Sequence, residues 1–368
     1  MVLKNKLAIA ILAVAVYICL PHPAIAQQTP PDMAIDGATR TVVVDNLIKE
    51  LNDGYVFPEV AKKLEADLRK RSTSKEYDAI TSAQAFSKKL TDDLQAISKD
   101  KHLRVRFSPQ PIPVRGQRRE PTEAEREQNR WFSRRVNFGF ERVERMNGNI
   151  GYIDLRGFSD HEAGAETVAA AMKFLENTES IIFDLRQNGG GNPFMVALIS
   201  SYLFGDKPVH LNSLYFRPED RTDDFFTKPE LAKVKFPSKD VYILTANRTF
   251  SAAEEFTYNL KNLKRATIVG ETTGGGAHPG GPVRLHEHFN VFVPNGRAIN
   301  PISKTNWEGT GVEPDIKVPK EQALKVAYLA ALKKSLLNIK DENVKNGVKQ
   351  LIDETQKELD GLIAGLKK

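Results

Sequence analysis

A change of hydrophobic period at Asn149 constrains this chain more than any other feature. Beyond it, IGYIDL, SIIFDL, VYILT and ATIVG are short β-branched runs, and they alternate with stretches of helical period at 161–176, 193–204 and 252–263. Apolar strands spaced by helices form βαβ units around a largely parallel, buried sheet. The expected class is therefore α/β, with the core at 149–319. Ahead of it, residues 40–101 read as a helical N-terminal domain. Val44, Leu47, Ile48 and Leu51 share one face, a break runs from Gly54 to Pro58, and two further apolar faces follow, the first with Leu64 and Leu68 and the second with Phe86, Leu90 and Leu94. Residues 102–148 read as a strand, HLRVRF, and a charged connector of mixed sign from Arg115. The plain reading of that connector is a solvated helix or hairpin; the sharper one is a basic lip for acidic substrates. LHEHFNVFVP reads as an antiparallel arm, and 320–368 as a lysine-rich helical tail.

The first 26 residues have the layout of a secretory signal. MVLKNK is basic, LAIAILAVAVYICL is apolar, and Ala24-Ile25-Ala26 offers a small-x-small cleavage site. The apolar run falls short of the ~20 residues that a membrane-crossing helix needs. A polar linker, 27–39, follows it. The chain is thus expected to be exported, to the periplasm or beyond, with no membrane span in its mature form. The single cysteine, Cys19, leaves with the signal. That excludes thiol catalysis, disulfides and cysteine metal sites from the mature protein. The net charge of +6 includes Lys4 and Lys6 of the signal, and the remainder is too modest to argue for nucleic acid.

The chemistry concentrates at two strand-to-helix turns. In VYILTANRTFSAAEEF a buried strand ends at Thr245 and a helix begins at or just after Ser251. A serine at that corner projects from the carboxyl edge of a sheet, beside the N–H groups and positive dipole end of a helix, which suit an oxyanion. The plain reading is a cap, because Ser251 and Glu254 form a capping box. In IIFDLRQNGGGNPF, Asp184 and Arg186 lead into Asn188 and three glycines before a helix. The turn lacks phosphate-loop spacing, so oxyanion donors are the better functional reading and a tight turn the plain one. A nucleophilic serine needs a base. His102, His161, His210, His278, His286 and His288 are available, His278 in a glycine-rich loop being the chief rival to His102. His286 and His288 flank Glu287 on one strand, but no third metal ligand is evident. Spacing alone does not choose the base.

In combination, DLRQNGGGNP, TANRTFSAAEEF and IVGETTGGGAHPGG resemble the tail-specific (C-terminal processing) serine peptidases. The nearest branch is the one shared with the tricorn core and interphotoreceptor retinoid-binding-protein modules. The resemblance, over about residues 40–318, implies a crotonase-like βαβ spiral core behind a helical domain. Gly276 stands where one branch of the family places a lysine base, so that branch does not fit. The other branch implies Ser251 as nucleophile, His102 as general base and Glu308 as the group orienting it. The backbone N–H groups of Ala252 and, by motif position, Gly190 would form the oxyanion hole. Lys101 replaces the serine that precedes the histidine in tricorn. The 40 or so residues from Ser108 to Gly148 are too few for the PDZ domain that many processing peptidases insert there. The implied partner is a peptide or protein substrate, with no metal and no cofactor. A non-catalytic module for a retinoid or other lipid-like ligand, or an esterase on the same machinery, are the alternatives.

Overall fold

A computed structural model describes residues 31–114 and 122–365. The expected signal with Cys19 and residues 27–30 of the polar linker lie outside the described residues, as does 115–121 of the charged connector.

Three helices open the fold: α1 (Gly37–Gly54), α2 (Pro58–Thr73) and α3 (Ala83–Ser98). Each starts where local chemistry requires it. The Thr39 N–H donates to the Asp36 side chain, Pro58 occupies the first turn of α2, and the Ala85 N–H donates to Ser82. Lys99, with φ 59°, ends α3 in a left-handed cap. The helices bury the predicted faces but do not close on themselves. A three-stranded antiparallel sheet of β1 (Arg104–Phe107), β9 (Gly280–His286) and β10 (Phe289–Pro294), in the order β1-β10-β9, completes their core with Val105, Leu285, Phe289, Val291 and Val293. The arm expected as one strand is therefore a hairpin. His286 ends β9 and His288 sits in the turn, so the two histidines do not share a strand face.

The main sheet runs β12-β8-β7-β4-β3-β2, built from β2 (Phe140–Met146), β3 (Ile150–Leu155), β4 (Ser180–Asp184), β7 (Asp240–Thr245), β8 (Thr267–Gly270) and β12 (Ile316–Lys317). All its pairings are parallel except β2 with β3. Side chains alternate across it, as the strand period demands. Ile153, Phe183 and Ile243 face α5 (His161–Phe174), α6 (Pro193–Ser201) and α7 (Ala252–Asn262). Tyr152, Ile182 and Leu244 face Ala323, Ala327 and Leu332 of α8 (Lys320–Ser335), with α9 (Glu342–Gly365) outside it. The tail is thus a layer of the core. A third sheet, β11-β5-β6, joins β5 (His210–Phe216), β6 (Arg221–Phe226) and β11 (Gly296–Ile299). The charged connector holds α4 (Glu123–Arg135), which buries no residue, as a solvated helix should.

Candidate active site

The three motifs that carry the family resemblance leave one edge of the main sheet. β4, β7 and β8 are adjacent and parallel, so the segments that follow them emerge side by side at their carboxyl ends. Ser251 lies between β7 and α7 with φ 56° and ψ −124°, a conformation that costs a non-glycine residue free energy. The surroundings hold it there. The Ser251 N–H donates to Glu254 Oε2 (2.9 Å), and the Glu254 N–H donates to the main-chain carbonyl of Ser251 (2.8 Å). Ser251 and Glu254 thus form the expected capping box, held by Glu254 Oε2 and the Ser251 main chain. The Ala252 N–H opens α7 and meets no acceptor among the described residues.

The Asn188–Gly191 turn is stitched to this corner. The Phe250 N–H donates to the Asn188 carbonyl (3.1 Å), and the fully buried Asn188 side chain donates to the Leu155 carbonyl (2.9 Å). Gly190 has φ 106°, and a Cβ there would stand 2.7 Å from Ser251 Cβ and 2.9 Å from Ala252 N. The Gly190 N–H, expected as an oxyanion donor, donates to Asn188 Oδ1 (2.9 Å). What the residue contributes is room beside the serine.

Glu254 has a wider role than a cap. It is wholly buried and accepts from Thr273 Oγ1 (2.5 Å), Gly275 N–H (2.6 Å) and Gly276 N–H (2.8 Å) as well as from Ser251. One carboxylate thus fixes the loop after β8 to the serine corner. Burial pushes its carboxyl upward while these four donors oppose the shift.

His102, expected to begin the strand, sits in the turn just ahead of β1, which starts two residues later at Arg104. Its ring packs on Phe250, the neighbour of Ser251, at 4.5 Å between centroids, and on Phe292 at 5.7 Å. Burial, helped by His278 and Arg104 and opposed by Asp100, lowers its pKa to about 4. The imidazole is therefore neutral, and able to accept a proton, at neutral pH. A Cβ on Gly276 would run into the Phe250 ring and come within 2.6 Å of His102 Cε1. The position that carries lysine in the other branch thus has no space for a side chain once His102 is in place. No hydrogen bond joins His102 to Ser251 among the described residues; such contacts are often long until substrate binds.

Glu308 is aimed at the same loop. Its Oε2 accepts from the Ala277 N–H (2.5 Å) and lies 3.4 Å from His278 Nδ1, whereas the expected hydrogen bond to His102 is not made. Glu308 Oε1 and His102 Nδ1 are both buried without a hydrogen-bond partner. Burial first, then the charge of Asp100, holds the Glu308 carboxyl above the usual carboxylate range, with His278 opposing. His278 is nearly wholly buried, its Nδ1–H donating to Asp100 Oδ2 (2.7 Å). Lys101 reaches over to the Gly274 carbonyl (2.5 Å). The other histidines are engaged elsewhere: His161 on Phe194, His210 on Phe226, and His288 with the Ser108 carbonyl. Asp100, His278 and Glu308 place three ligand-type atoms within 4.8 Å of one another, the one such group among the described residues. Those atoms are already committed to each other and to Ala277, an arrangement that suits shared protons better than a metal ion. Two clefts of about 460 Å³ each lie elsewhere, one between α3 and β1 and one beside Asn247 and Lys317.

Sequence comparison fits this geometry. The model for peptidase family S41 matches residues 149–318, and that for the N-terminal domain of this family in eukaryotic IRBP matches residues 37–141. The chain belongs to peptidase family S41. It is 27% identical over 187 residues to the "Probable CtpA-like serine protease" of Staphylococcus haemolyticus (strain JCSC1435), a match taking in 48% of this chain and 35% of that protein. It is also 27% identical over 189 residues to the chloroplastic carboxyl-terminal-processing peptidase 1 of Arabidopsis thaliana, covering 50% and 36%. The chain spans about a third of the length of these curated relatives. Among solved structures, the S499A mutant of CPAF aligns with a TM-score of 0.54 over 89% of this chain and 98% of that one, at 13% identity. At that identity the likeness speaks for the fold alone, which is the mixed α/β fold of S41 peptidases. The segment between β1 and β2 holds α4 and a short 3₁₀ turn (Asn137–Gly139) among the described residues, where a PDZ domain would need roughly 80–100 residues. No helix among the described residues is long and apolar enough to cross a membrane.

Proposed function

We propose that this S41 chain cleaves peptide bonds through an acyl-enzyme on Ser251. The observation that carries the reading is the strained Ser251 corner, with an unpaired Ala252 N–H beside it and room kept by Gly190. His102 takes the proton from Ser251 Oγ as the oxygen attacks the substrate carbonyl. The Ala252 N–H and the positive end of α7 stabilise the oxyanion. His102 then passes its proton to the leaving amine, and water completes the cycle. Glu308 orients the base in this reading: its unpartnered Oε1 and the unpartnered His102 Nδ1 are an acceptor and a donor that a direct contact would satisfy. A lipid-binding role accounts for none of this arrangement.

Fluorophosphonate labelling tests the proposal. Wild type should label and Ser251→Ala should not. His102→Ala should lower kcat by about 10⁴, and a folded Glu308→Gln should lose about tenfold or more in kcat/KM. Labelling that survives in Ser251→Ala would remove the serine from the chemistry. We propose further that the chain is exported and processed after Ala26, as its basic, apolar and small-residue start suggests. The intact mass of material from outside the cytoplasm should place Gln27 at the N-terminus; an unprocessed start there would reject this.

A further inference from the structure

His278 stood as the rival base, yet its surroundings tie it to another task. Asp100 is buried to within 1% and directs both oxygens inward. Its Oδ1 accepts the His102 N–H (2.9 Å), which fixes the main chain of the proposed base. Its Oδ2 accepts the Tyr55 hydroxyl (3.2 Å) and His278 Nδ1–H (2.7 Å). The same imidazole nitrogen stands 3.4 Å from Glu308 Oε2, and Phe57 closes on the ring edge-to-face at 5.2 Å. An unbroken chain of contacts therefore runs from the His102 backbone through Asp100 and His278 to Glu308. It links the helical domain, which supplies Tyr55, Phe57 and Asp100, to the core loops that supply His278 and Glu308. A spare histidine would have no reason to be held between two carboxylates at this degree of burial.

We propose that Asp100 and His278 are positioning residues for the reaction, Asp100 fixing the His102 backbone and, through the His278 ring, setting where the Glu308 carboxylate lies. The inference rests on the reading of Ser251 as nucleophile and Glu308 as orienting group. Its consequence is electrostatic. The groups facing Glu308 are Asp100 and Tyr55 from the helical domain, Glu254 from α7 and His278 from its own loop pair. Asp100 and Glu254 disfavour the ionised Glu308, and His278 favours it. If ionised Glu308 supports catalysis, the acid limb of kcat/KM follows this cluster as a unit. The two substitutions then act in opposite senses. Asp100→Asn removes a negative charge, so Glu308 ionises more readily and the limb moves to lower pH. His278→Gln removes the stabilising side chain and leaves only the Ala277 N–H, so the limb moves to higher pH. Each shift should be about one unit or more for charges at this range.

The test is the pH profile of kcat/KM for wild type, Asp100→Asn and His278→Gln. It is joined to a ¹³C NMR titration of the Glu308 carboxyl in the same variants built on Ser251→Ala, which needs no activity. Opposite displacements in both readouts are expected, with His102→Ala far more damaging than His278→Gln. Profiles that superimpose on wild type, or move in the same direction, would overturn the inference. A His278→Gln loss equal to that of His102→Ala would overturn it too, making His278 a base. Should Asp100→Asn fail to fold, the sign of the His278→Gln shift decides alone. Activity retained in Ser251→Ala would instead overturn the serine reading, which keeps the two failures distinct.

Discussion

At the scale of single residues, the site depends on side chains that are missing as much as on those present. Gly190 is the sharpest case, because both its φ of 106° and the 2.7 Å from its virtual Cβ to Ser251 Cβ exclude any larger residue without displacement of the serine. Gly190→Ala should therefore fold, since the turn is at the surface edge of the sheet, yet lose at least about 10² in kcat, the scale of a disturbed oxyanion site. A Gly190→Ala enzyme with wild-type kcat would refute the role. The sequence drew attention to Ser251 and the glycine turn because each belongs to a short motif, whereas His102 was singled out among six histidines only by the family resemblance. It did not disclose the part played by Asp100, whose partner His278 is 178 positions away. Glu254 read only as a cap, because the three donors it gathers from the loop after β8 come from about 20 positions further on. The Gly190 N–H was assigned by motif position, and the Asn188 side chain that captures it is a local competitor the motif does not weigh.

At the scale of elements, α7 bears two adjacent glutamates with opposite surroundings. Glu254 meets four donors, whereas Glu255 lies 5% exposed beside Asn212 and Asn259, and burial raises its carboxyl from 4.5 to about 8. Between those values the folded protein keeps a proton that the unfolded chain releases. Stability therefore falls as pH rises through the window, by up to about 1.4 kcal/mol per pH unit. Glu255→Gln imitates the protonated form, so its melting temperature should vary less between about pH 5 and 8 and should equal or exceed wild type at the upper end. A wild-type slope in the Gln variant would absolve Glu255. The period of the sequence was enough to find α7 and its neighbours, since buried strands and amphipathic helices repeat a pattern over many residues. The hairpin of β9 and β10 was read as one arm because its turn, Glu287 and His288, lacks the glycine or asparagine that marks a tight reversal. The third sheet went largely unread: β6 and β11 are short, and much of β6 is exposed.

At the scale of the whole molecule, the lysine-rich tail shows how charge can hide a core element. Ala323, Ala327 and Ala331 recur at helical spacing and cover the second face of the sheet, yet small side chains give little apolar signal among lysines. The boundary expected at 319 consequently falls between two layers that bury each other. The pairing of β1 with β10 has a further consequence. Arg104 lies opposite Phe292, so the strand that follows the proposed base has no partner until the ribosome has passed residue 294, well after Ser251 has been made. In a nascent chain the proposed base, although made first, thus gains its neighbouring strand only after the proposed nucleophile has been added.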